Sequence, residues 1–149
     1  MDYAIYLNTR RSPPEVERVV TQAVEQAARR GALTAPAEPV CVSAAIPSTR
    51  EMIKEGYGFE PDIVVSVQLD KFVDDVRQRD AQAVAVIAAL LREEPGDLYT
   101  DFFDGHPVLL RRAGLVHLDE RWAASRPWAA DAFPRPDRVM AHATTLNGG

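Results

Sequence analysis

An apolar run, Ile63-Val64-Val65-Ser66-Val67-Gln68-Leu69, leads through Asp70-Lys71-Phe72 into a long amphipathic segment that stops at Pro95-Gly96-Asp97. Three short extended runs follow, separated by Asp104-Gly105 and Ala113-Gly114. Strand, helix and meander in this order share one buried face, and that constrains the fold class before any chemistry is considered.

Ile63, Val65, Val67 and Leu69 alternate onto one face, with Val64, Ser66 and Gln68 on the other, which predicts a half-buried central strand. The helix after it is predicted to start behind Asp70 as cap. Its apolar stripe is Phe72, Val73, Val76, Ala83, Val84, Ile87, Leu90 and Leu91. Asp80 interrupts that stripe, so a bend or an exposed turn is expected there. The runs at about 98–103, 107–112 and 115–119 read as a meander with two-residue turns.

Residues 3–8 alternate and end in Asn8-Thr9, as a first strand does. Ser12, Pro13 and Glu15 have the spacing of a capping box, and Val16, Val19, Val20, Ala23, Val24 and Ala27 recur every three or four residues up to Gly31. A helix over about 14–30 follows. Pro36 and Pro39 bracket a linker before a second strand at 40–46, in which Cys41 is expected as a small buried hydrophobe. The segment from Glu51 to Phe59 has no sustained period and contains Gly56 and Gly58. It is predicted as a mobile loop with room for one helical turn around Met52 and Ile53. Trp122, Trp128 and Phe133 are expected to pack their rings onto the body of the protein.

The predicted fold is α+β: an antiparallel sheet of five to six strands with two helices on one face, a ferredoxin-like split βαβ plus a C-terminal hairpin. Residues 1–140 are expected to form one domain and 141–149 a disordered tail.

Seventeen basic against 22 acidic residues give a net charge of −5, which repels polyphosphate and suits a basic partner, so nucleic acid is not an expected ligand. Arginine outnumbers lysine and alanine is abundant, a bias typical of a GC-rich bacterial genome. With one cysteine no intrachain disulfide forms. No apolar run approaches the roughly 20 residues of a membrane span, and the acidic start lacks a secretion signal, so a cytoplasmic location without membrane attachment is expected.

Chemistry is sparse. His106, His117 and His142 have no metal-ligand spacing, so no metal is expected. No Gly-rich phosphate cradle and no nucleophile elbow occur, and no cofactor is expected. Asp97, Asp101 and Asp104 read as solvated strand-end acids, and Asp74 and Asp75 as charges at a helix start. Glu51, Glu55, Glu60 and Asp62 surround Tyr57 and Phe59, a mixture of acids and rigid rings that suits an interface with a basic protein. A small-ligand pocket between sheet and helices, using Tyr99, Asp101 and His117, is the alternative. Self-association through an exposed edge strand is a third reading, so the chain is expected as a monomer or weak homodimer.

Phe59-Glu60-Pro61 before the strand, Asp70-Lys71-Phe72 after it, Leu90-Leu91, Pro95-Gly96-Asp97, Phe102-Phe103 and the hairpin Val108-Leu109-Leu110-Arg111-Arg112-Ala113-Gly114-Leu115 followed by Trp122 resemble the SitI-type family. These are immunity proteins of bacterial swarm-inhibition toxin systems, found also as orphan genes in actinobacteria and myxobacteria. The resemblance spans about 59–122, with 3–7 as an opening strand. It implies a non-enzymatic protein that binds and silences a cognate toxin. The chain departs from the founding members in lacking a lipoprotein-type cysteine near its start.

Overall fold

The structure, a computed structural model, describes residues 2–33, 39–69, 73–103, 105–133 and 138–141. The expected cap at Asp70 with Phe72, the turn residue Asp104, His142 and the tail at 142–149 lie outside the described residues.

Strand β1 (Asp2–Leu7) is followed by α1 (Pro13–Arg29), β2 (Val40–Ala44), α2 (Pro47–Tyr57), β3 (Ile63–Gln68) and α3 (Val76–Glu93). Then come β4 (Leu98–Phe102), β5 (His106–Arg112), β6 (Leu115–Asp119), the short helix α4 (Glu120–Ala124) and β7 (Arg138–Ala141). The sheet order is β2-β3-β1-β4-β5-β6-β7. The first four strands in this order reproduce the ferredoxin-like split βαβ, in which each helical crossover skips one strand that is antiparallel to both of its neighbours. β5 and β6 add the hairpin, and β7 pairs parallel to β6, an extra strand that the residue pattern did not announce.

Alternation sorts the sheet into two faces. Tyr3, Ile5 and Leu7 of β1, Ile63, Val65 and Val67 of β3, and Leu98 and Leu109 of β4 and β5 form the inner face. Helices α1 and α3 cover it with Val16, Val20, Val84, Ile87 and Leu90. Burial of each such side chain is worth roughly 1.5–3 kcal/mol, which makes this face the main source of stability. α1 starts as the spacing predicts: Glu15 Oε1 accepts from the Ser12 amide at 3.0 Å and the Ser12 hydroxyl at 2.9 Å. Those two bonds hold the Glu15 carboxyl below its ordinary range. Trp122 and Phe133 are buried and stack with ring centroids 6.1 Å apart, and Trp128 packs half-buried against the same core.

Several expectations fail. α3 begins at Val76, because Asp75 accepts from the amides of Arg77 (2.9 Å) and Gln78 (3.1 Å) and so caps the helix there. Asp80 neither bends the helix nor meets solvent. It is fully buried, and its carboxylate accepts from Tyr3 Oη (3.0 Å), Arg79 Nε (2.7 Å) and Arg126 Nε (2.6 Å). Cys41 is exposed, because it points outward from the edge strand β2, away from the face that α1 and α3 cover. Asp97 is no solvated acid: it bonds Arg112 Nη1 at 2.9 Å and the Ala113 amide at 3.1 Å and so braces the β5–β6 turn.

One close approach anchors the end of β1. A Cβ on Gly96 would collide with the Asn8 carbonyl oxygen, so only glycine lets the α3–β4 connection lie against that strand end. The Asn8 amide then donates to Asp97 O at 2.9 Å.

Candidate functional site

The outer face of the sheet carries every candidate residue. The segment predicted as a loop is instead the helix α2, with Pro47 in its first turn and Gly58 in the left-handed conformation (φ 84°) as its stop. Its only buried helical residue is Ile53, too little apolar pattern to betray an 11-residue helix. The punctuation at Pro47 and Gly58 was the signal available, and it was readable. Ile53 and Phe59 pack on Tyr99 in a second, smaller core, with Tyr6, Tyr57 and Leu110 around it.

The six residues expected at an interface do not form one patch. Phe59 is buried, with the Arg112 guanidinium over its ring at 6.0 Å, so it fastens the end of α2 to β5. Asp62 accepts from the Thr9 amide at 2.9 Å and Asn8 Nδ2 at 3.2 Å, joining the ends of β1 and β3. Glu60 is exposed but engaged by Arg50 and Lys54, each at 3.3 Å. Tyr57 is half-buried; its ring stacks on Tyr99 at 3.7 Å and its hydroxyl meets Tyr99 Oη at 2.7 Å. Glu51 and Glu55, one helical turn apart, are exposed, and among the described residues they have no ion pair or hydrogen bond. They line an open depression with Pro47, Arg50, Lys54 and Glu60.

Tyr99, Asp101 and His117 share a face, but it is the face opposite α1 and α3. Tyr99 stands in register with Leu110 of β5 and Leu110 with His117 of β6, so an apolar side chain separates the first from the last. Tyr99 is almost completely buried beneath α2, with Tyr6 stacked 6.0 Å away on its other flank. Among the described residues no three of His, Cys, Asp and Glu converge on a point that could hold a metal.

Asp101 stands apart. It is half-buried beside the tyrosines, and burial alone raises its carboxyl from 3.8 to about 6. Its charge acts back on the phenols: burial first, then Asp101, pushes Tyr6 up to about 12, and Asp101 contributes to the upward shifts of Tyr57 and Tyr99. The folded state therefore holds the Asp101 proton more tightly than the unfolded chain does. Its contribution is present below pH 4 and is lost as pH rises to about 6. Asp101→Asn should remove that decline and leave the protein ~2 kcal/mol more stable than the parent at pH 7. Urea unfolding at intervals from pH 4 to pH 7 reads the difference directly, and parallel curves for parent and variant would contradict it.

No described helix is long and apolar enough to cross a membrane. No curated protein and no solved structure gives a significant match to the chain. A protein-family model described as SitI3-like matches residues 1–129, a span that takes in β1 to β6, both inner helices, α2 and α4 and leaves out β7. The chain belongs to the SitI3-like family.

Proposed function

We propose that this protein is an immunity-type factor that binds a cognate bacterial toxin in the cytoplasm and neutralises it by occupation, with no chemistry of its own. Family membership over residues 1–129 is the observation that carries this reading. The outer surface agrees with it in kind. α2 is a rigid, preformed element, so docking through it would not incur the ordering cost of a mobile loop. Glu51 and Glu55, unengaged among the described residues, sit on a chain of net charge −5, a field that steers a basic partner inward.

The partner is best sought as the product of the adjacent gene. Purified together, the two proteins should form a one-to-one complex by light scattering, with an association rate that falls as salt rises. Absence of a complex at micromolar concentrations would overturn the reading.

The double variant Glu51→Lys/Glu55→Lys should slow association and weaken the complex about tenfold while leaving folding unchanged, since neither side chain supports the structure. Stopped-flow mixing at low and high salt is the measurement, and equal rates for parent and variant would exclude α2 from the contact. Tyr57→Ala tests something else, because it strips the cover from Tyr99 and removes its hydroxyl partner. Its first expected effect is a loss of stability of the outer-face cluster.

A further inference from the structure

We propose that Asp101, set beside Tyr6, Tyr57 and Tyr99 on the outer face of the sheet, is a seat for one arginine guanidinium presented by a basic protein partner. This deepens the toxin-binding reading and names a contact that the acids of α2 do not supply.

Three features of the fold converge on Asp101. The β4–β5 register shifts between Thr100 and Asp101, with Val108 of β5 as the extra residue, so the ladder beside Asp101 is irregular on its β5 side. The residue across from it on β5 is Pro107, whose side chain carries no donor. Among the described residues the carboxylate has no hydrogen bond and no ion pair, although it is half-buried. A half-buried carboxylate normally has donors around it, so this one has acceptor capacity left for a donor from outside.

The surroundings select the donor. Tyr57 and Tyr99 stack at 3.7 Å, Tyr6 stacks at 6.0 Å from Tyr99, and all three phenols lie close enough to feel the Asp101 charge. Tyr6 Oη has no hydrogen-bond partner among the described residues. On the other side, Ala4, Ser66 and Cys41 stand in register across β1, β3 and β2, a row of small side chains beside Asp101. A flat guanidinium can lie on an aromatic face while its fork donates to a carboxylate, whereas an ammonium presents only a compact point charge. A row of small side chains, an aromatic wall and an unpaired acid at their junction match the first shape better than the second.

The probe is N-acetyl-arginine methylamide, with the neutral citrulline analogue as its isosteric control, titrated into the full chain and followed by amide and tyrosine ring NMR shifts. Saturable shifts centred on Asp101, Tyr6 and Tyr57 are expected with the arginine compound at millimolar concentrations, and none with citrulline. Asp101→Asn should weaken that binding at least tenfold. The variant is expected to be the more stable protein, so unfolding cannot account for the loss. Shifts elsewhere, equal shifts with citrulline, or unchanged binding in the variant would each overturn the seat. In the complex with the adjacent gene product, Asp101→Asn should weaken affinity at least tenfold. A complex that forms and ignores the substitution defeats this inference alone, whereas failure of the parent to form any complex defeats the toxin-binding reading.

Discussion

Asp80→Ala should cost this protein about 3–5 kcal/mol, the range measured when one partner of a buried ion pair is removed. The carboxylate is fully buried and satisfies Tyr3 Oη, Arg79 Nε and Arg126 Nε at once. Arg126 is itself buried, with Trp122 O and Ser125 Oγ as its other acceptors among the described residues, and its guanidinium lies 5.1 Å from the Trp122 ring and 5.3 Å from that of Phe102. Trp122 Nε1 donates to Tyr3 Oη at 2.9 Å, so the same network ties β1, α3 and the segment after β6 together. Without the carboxylate a buried cation and a buried hydroxyl lose their main partner together. The midpoint of guanidinium unfolding should fall with an unchanged slope, and the melting temperature should drop by roughly 10 °C for a chain of this length. The double variant Asp80→Leu/Arg126→Met removes both charges and should recover at least half of the loss, because the penalty lies in the unpaired ion more than in the lost bond. A drop below about 1 kcal/mol for Asp80→Ala would place the network among ordinary surface pairs.

Arg111→Met should have an effect of similar size through backbone groups. Arg111 is buried on β5, and its fork donates to Leu91 O at 2.8 Å, Gly96 O at 2.9 Å and Glu94 O. Those carbonyls close the last turn of α3 and the chain that leaves it, where a helix has no acceptors' partners of its own and its dipole favours a cation. Methionine keeps most of the volume and strands three carbonyls, at a cost of about 3 kcal/mol. Hydrogen exchange should show the loss locally, with protection falling first at the amides of the last turn of α3 and at Asn8, whose amide bonds Asp97 O. Arg111→Lys should restore only part of it, since one ammonium cannot span three acceptors. Uniform loss of protection across the sheet would show that Arg111 matters to overall packing and not to this cap.

Much of the frame was legible because it is local. Ser12, Pro13 and Glu15 announce α1, strict alternation announces β1 and β3, and the turn glycines announce the meander. α2 was misread because one buried isoleucine leaves no period to detect, although Pro47 and Gly58 bounded it. Cys41 was misplaced because alternation shows which residues share a face and not whether that face is covered. The inward position of Arg111 could have been inferred from its alternation with Leu109, but its three acceptors could not.

For the candidate site, composition and spacing picked the right neighbourhood and not the roles within it. Phe59, Glu60 and Asp62 are occupied with partners of their own, while among the described residues Glu51 and Glu55 are free and Asp101, beside tyrosines from β1 and α2, is unpaired.

Taken alone, the order of residues determined which segments extend, which coil, and that two inner helices share one sheet face, because hydrophobic period and capping act within a few residues of chain. Only the tertiary structure decided that Asp80 meets Arg126 across 46 positions, that α2 packs on the outer face, and that Asp101 has no donor among the described residues. Pairings of that kind depend on which elements meet in space, and the free energy of burying a charge is set by partners that adjacent sequence does not name.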